Sequence, residues 1–122
     1  MTASYAGVTS AAALSARKQG AEVLLIERTD MLLGTGLVGG IMRNNGRFTA
    51  AEEMVAMSGG ELFQLTDTNS LHRGIDFPGH RHASLYNVAT MEPIVKNFLV
   101  RAGVDIQLST RITDVEMAEG RL

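Results

Sequence analysis

A chain of 122 residues, 45% hydrophobic and 20% charged, has the composition of one soluble globular domain. Its formal net charge of −2, with Arg and Lys scattered rather than massed, argues against nucleic acid or an anionic membrane surface as partner. No apolar run approaches the roughly 18 residues that span a bilayer and no export signal opens the chain; the absence of cysteine removes disulfides, zinc-thiolate sites and thiol relays, and fits a reducing, cytoplasmic setting.

The first predicted element is a helix over Ala6 to Gln19, rich in alanine, the strongest helix former, with Gly20 as the left-handed stop. Its small residues Gly7, Ala11, Ala12 and Ser15 would let the axis approach a sheet or a ligand. Glu22 to Glu27 is a continuous apolar run of strand length, bounded by Gly20 and by Arg28-Thr29-Asp30, and reads as a strand covered on both faces. From Gly34 to Gly46, five glycines stand among Leu37, Val38, Ile41 and Met42, a density that forbids regular structure through the middle.

Thr49-Ala50-Ala51-Glu52 has capping-box form and predicts a helix to about Met57. Ser58 to Ala83 holds Gly59-Gly60, Pro78-Gly79 and many polar residues, and reads as irregular with one helical turn near Glu61 to Leu65. Thr90 is the expected cap of a further helix, with Met91-Glu92-Pro93 in its first turn, Ile94, Val95, Phe98 and Leu99 on one face, and its end at Ala102-Gly103. Val104 to Ser109 and Ile112 to Met117 alternate as strands do, and Gly120-Arg121-Leu122 reads as a turn.

This order predicts an α/β fold, a partial Rossmann-like βαβ sheet domain over residues 1–122 without its first strand or a substrate domain. The helix opening such a unit normally follows a buried strand and a tight glycine turn, because a dinucleotide pyrophosphate sits on its N-terminus. Residues 1–5 are too few and too polar for that strand, and if Gly7 closes a G-x-G-x-x-G fingerprint, the earlier glycine positions fall on Thr2 and Ser4. Glu27 ends the next strand, about 20 residues past Gly7, where a carboxylate accepts adenosine ribose hydroxyls and repels a 2′-phosphate.

Ala6-Gly7-Val8 through Ala21 to Arg28, followed by Leu33-Gly34-Thr35-Gly36-Leu37-Val38-Gly39-Gly40, resembles the N-terminal region of the FAD-dependent oxidoreductases. Within them it is most similar to the branch related to fumarate reductase and succinate dehydrogenase flavoproteins. Arg101 to Thr110, with Thr110 to Val115 after it, resembles the family's return strand and the strand that follows. The resemblance implies FAD as cofactor. Gly7 would touch the pyrophosphate at the helix end, Glu27 would bind the ribose, Arg28 would lie near adenine or ribose, and Gly34, Thr35 and Gly36 would line the path from phosphate to flavin. None of these is a catalyst: the flavin carries the hydride, and the residues acting on a small-molecule substrate lie elsewhere in such proteins.

Three readings stand side by side: the FAD-binding portion of a flavin oxidoreductase, inactive by itself; a small non-catalytic module for an adenine nucleotide; and an NAD-binding domain of a dehydrogenase. The glycine-rich segment after Glu27 separates the first from the third. His80-Arg81-His82, with His72 nearby, lacks the clustered third ligand of a metal site, so no metal is expected, although Arg81 or its neighbours could face a substrate carboxylate. The seven methionines read as core and loop fillers. With no first strand beside Val23 to Ile26, an open sheet edge invites self-association.

Overall fold

The computed structural model describes residues 8–34, 37–39, 43–45, 60–78 and 80–116. Helix α1 spans Val8–Lys18 and leads into β1, Leu24–Ile26; helix α2 spans Gly60–Thr68; helix α3, Val88–Arg101, leads into β5, Asp105–Gln107. Between them lie β2 (Arg43–Asn45), β3 (His72–Phe77) and β4 (His80–Leu85). The strands form two sheets. β1 and β5 pair in parallel, Leu24 opposite Asp105 and Ile26 opposite Gln107, and the other three form an antiparallel sheet in the order β2-β4-β3. Mixed helix and strand with a small parallel pair accords with part of a Rossmann-like α/β domain.

The two strand-feeding helices end in the same way. In α1, Ala21 N–H donates to the Ala16 carbonyl and Gly20 N–H to that of Arg17; in α3, Val104 donates to Leu99 and Gly103 to Val100. These are paired Schellman bonds, which require a left-handed residue just past the helix, and Gly20 and Gly103 have φ of 87° and 86°. Each helix therefore turns sharply into its strand. Because those strands are parallel neighbours, the C-terminal turns of α1 and α3 come to the same end of the sheet.

The core lies between these helices and the strand pair. On α3, Met91, Val95 and Leu99 recur every four residues and are wholly buried; Ala13 and Leu14 of α1, Leu25 of β1, Leu62 of α2, Tyr86 and Val104 join them. Each large side chain so buried stabilises the fold by about 1.5–3 kcal/mol. On α1 the packed residues are Ser10, Ala11, Ala13 and Leu14, while Ala12 and Ser15 are exposed, so the closely approaching face is only partly the small-residue one predicted.

Several expectations are corrected. β1 is three residues long and not covered on both faces: Leu25 is buried on one face, while Leu24 on the other is 55% exposed. Arg43-Asn44-Asn45, the glycine-free stretch before Gly46, pairs with β4 as a short strand. Residues 60–68, 72–77 and 80–85 are regular. α2 is twice the single turn expected, and β3 and β4 form a hairpin with Phe77 opposite His80 and register shifts on either side of Ile75. The cap of α3 is Asn87, whose Oδ1 accepts from Ala89 N–H at 2.8 Å; Thr90 sits one turn in and donates its hydroxyl to the Asn87 carbonyl. Pro93 is thus the sixth helical residue rather than in the first turn, and the acceptor it cannot serve belongs to exposed Ala89, open to water. Residues 111–116 are exposed and form no strand, for want of a partner among the described residues. The helix expected from Thr49 to Met57 lies outside those residues.

A buried polar node ties α2 to the hairpin. Asp67, on α2 and 4% exposed, accepts at Oδ1 from the Ser84 hydroxyl and at Oδ2 from Arg73 Nε and Nη2, at 2.8 and 2.5 Å from Arg73. Ser84 is itself buried in β4. Burying a carboxylate is tolerable only with such partners.

Candidate functional site

Glu27 directly follows β1, and the parallel ladder continues through it: its N–H donates to the Gln107 carbonyl at 2.9 Å. Its own carbonyl accepts from Thr110 N–H at 3.0 Å, and Ser109 N–H reaches the Thr29 carbonyl at 2.8 Å. Ser109 makes this crossing with φ of 51°, a left-handed backbone costly for a residue with a side chain. The Glu27 backbone is therefore held through both its N–H and its carbonyl by β5 and the residues after it, at the C-terminal end of the strand pair, where open α/β sheets bind ligands.

Its side chain is half-buried and oriented. Oε1 accepts from Thr29 N–H at 2.8 Å and lies 2.9 Å from the Thr29 hydroxyl. That hydroxyl has one proton and also lies 3.0 Å from the Met31 carbonyl; the charged oxygen is the stronger acceptor. Oε2 has no hydrogen-bond partner among the described residues. The result is a fixed carboxylate with one oxygen occupied and the other available to an incoming hydroxyl donor. A ribose diol supplies such donors, so the carboxylate fits an adenosine ribose.

The segment that follows is anchored by its apolar residues. Leu32, Leu33 and Leu37 are buried in the core, and the chain reverses through Leu33 and Gly34 with φ of 67° and 40°. The Gly34 carbonyl accepts from Leu37 and Gly39 N–H groups at 3.2 and 3.1 Å. Leucine in that conformation stores strain, of order 1–2 kcal/mol, which its burial offsets. Arg28 and Asp30 are exposed, and Arg28 makes no hydrogen bond among the described residues.

Helix α1 packs on β1 after a tight turn and so runs back along it, bringing its N-terminus to the end of the sheet where Glu27 lies. Among the described residues its first turn carries no acidic side chain, and the positive end of a helix dipole favours an anion. Of the six residues proposed from sequence, Glu27, Arg28 and Gly34 fall on one side of this end of the sheet's connections, in the segment from β1 into the glycine-rich turn. Gly7, Thr35 and Gly36 lie outside the described residues.

Sequence reasoning missed Thr29 and the Ser109-Thr110 brace. A threonine two residues after an acid was the available signal, since short hydroxyl side chains bond locally in turns; the brace depends on tertiary pairing and had none. His72 is exposed on β3, and His80, Arg81 and His82 lie on β4, away in sequence and sheet from Glu27. Among the described residues no three His, Cys, Asp or Glu side chains come together to hold a metal, and no helix is long and apolar enough to cross a membrane.

The family model for FAD dependent oxidoreductases matches residues 3–122. No curated protein matches the chain, and no solved structure does.

Proposed function

The chain belongs to the FAD-dependent oxidoreductase family, an enzyme family whose cofactor is FAD, and on that premise we propose that Glu27 holds the adenosine ribose of FAD. The observation that carries this is the Glu27 carboxylate itself, fixed by Thr29 through Oε1 with Oε2 open, at the C-terminal end of a parallel strand pair. Gly7, which precedes α1 in sequence, serves the pyrophosphate. Gly34, Thr35 and Gly36 form the backbone path from phosphate toward the flavin, and Arg28 covers the adenine or ribose.

When bound, the flavin ring supplies the hydride chemistry; the residues of this chain bind and orient it. The carboxylate favours a dinucleotide with a free ribose over one with a 2′-phosphate, because two anions would be forced together. We assign residues 1–122 to part of an FAD-binding Rossmann-like domain, of the branch related to fumarate reductase and succinate dehydrogenase flavoproteins, working in the cytoplasm on a small-molecule substrate held by residues elsewhere. The family match supports the FAD-binding reading over the nucleotide module and the NAD-binding domain.

Titration of FAD with the chain, followed by loss of flavin fluorescence, tests the proposal. Saturable binding is expected, weakened roughly tenfold or more in Glu27→Ala by loss of a charge-assisted hydrogen bond. Equal affinity in Glu27→Ala would overturn the assignment. The edge of β1 opposite β5 has no partner among the described residues and carries exposed Leu24, so the chain is expected to self-associate with rising concentration. A concentration-independent monomer in sedimentation would refute that part.

A further inference from the structure

At the other end of the strand pair from Glu27, where the Schellman turns of α1 and α3 meet, lies an open cleft of about 520 Å³. Arg17 and Lys18 enter it from α1, Arg101 from the end of α3 and Glu61 from the first turn of α2; Leu14, Phe98 and Ala102 form apolar wall. Three cations against one carboxylate leave a local excess of two positive charges, on a chain whose formal charge is −2.

The charges differ in how they are engaged. Lys18 Nζ and Glu61 Oε1 form an ion pair at 3.0 Å, both half exposed. Arg17 is oriented: Nη1 donates to the Ala21 carbonyl at 3.1 Å, and its guanidinium lies over Gly103 so closely that a Cβ there would stand 2.6 Å from Nε. Arg101 is exposed and has no hydrogen bond or ion pair among the described residues. Basic residues in a last helical turn complement the helix dipole. Dipole complementation does not account for two helices delivering them to one cleft beside an aromatic ring. The volume suits a small organic ligand.

We propose that this cleft is a second binding site, for a small organic anion: a carboxylate or phosphate ester carried on an apolar body. Arg17 and Arg101 hold the anionic group, since a planar guanidinium matches such oxygens in pairs, and Leu14 and Phe98 receive the body. The site is separate from the flavin reading, and it stands or falls independently of Glu27.

Phenyl phosphate, followed by amide chemical shifts of the labelled full chain, is the probe. Saturable shifts are expected at Leu14, Phe98, Ala102 and Gly103. Affinity should fall roughly tenfold in Arg17→Gln and in Arg101→Gln, each losing charge-assisted bonds. Exposed Arg101 can be changed without disturbing the core, so a folded variant is assured even if Arg17→Gln is not. Inorganic phosphate should bind roughly tenfold more weakly, lacking the apolar body, and saturating FAD should not displace phenyl phosphate. Absence of saturable shifts, unchanged affinity in Arg101→Gln, equal binding of inorganic phosphate, or displacement by FAD would each overturn the proposal.

Discussion

Asp67→Ala removes the acceptor shared by Ser84 and Arg73, and the two partners respond differently because their surroundings differ. Arg73 is 55% exposed and recovers its hydration, so the ion pair itself is worth little after screening by water. Ser84 is 2% exposed and keeps a buried hydroxyl with its acceptor gone, which costs about 1–3 kcal/mol. With the lost charge-assisted bond, the expected destabilisation is about 3 kcal/mol, a large part of the 5–15 kcal/mol that holds a typical domain. Ser84→Ala in the wild-type background should cost about 1.5–2 kcal/mol, since a buried carboxylate loses a donor. In the Asp67→Ala background the same change should cost nothing or stabilise, because the orphaned hydroxyl goes with it. The coupling of about 2 kcal/mol is read from urea unfolding of all four proteins at constant m-value. Equal cost of Ser84→Ala in both backgrounds would refute the account of this node.

Two further perturbations separate causes that usually travel together. Gly20→Ala and Gly103→Ala both impose a left-handed alanine, costing about 1–2 kcal/mol, but nothing lies near the added methyl at Gly20, whereas at Gly103 it meets Arg17. Thermal unfolding should show the Gly103 change as the more damaging, with the excess relieved by Arg17→Ala; equal losses would contradict the contact. Burial raises the pKa of the Tyr86 phenol above its ordinary 10.0. The unfolded chain then ionises first on raising pH, so this contribution is intact below pH 10 and is lost as pH climbs through the folded value. Tyr86→Phe should flatten the alkaline fall in stability, and an alkaline limb parallel to that of the wild type would count against it.

What was legible in the sequence was what local chemistry decides. Alanine content with Gly20 marks α1, the apolar run marks β1, and Ile94, Val95, Phe98 and Leu99 on one face mark α3 up to its glycine stop, although the wholly buried stripe proves to be Met91, Val95 and Leu99. The β3-β4 hairpin was not legible. His72-Arg73-Gly74-Ile75-Asp76-Phe77 and His80-Arg81-His82-Ala83-Ser84-Leu85 contain a single β-branched residue, and what makes them strands is pairing with each other and the clamp of Arg73 and Ser84 onto Asp67. The opposite error occurred at 112–117, where alternation predicted a strand and residues 112–116 are unpaired. At the site, Glu27 was readable from its place after a strand, while its fixing by Thr29 and the left-handed Ser109 depends on how the return strand crosses back.

The most direct test of the central claim pairs a change in the protein with one in the ligand. Dissociation constants are measured for FAD and for its 2′-deoxyadenosine analogue, each with the wild-type chain and with Glu27→Ala. If Glu27 accepts the ribose hydroxyl, the missing hydroxyl weakens wild-type binding by roughly tenfold and leaves Glu27→Ala nearly indifferent. If both proteins lose the same factor, the carboxylate does not hold the ribose and the flavin site must be built elsewhere in the chain.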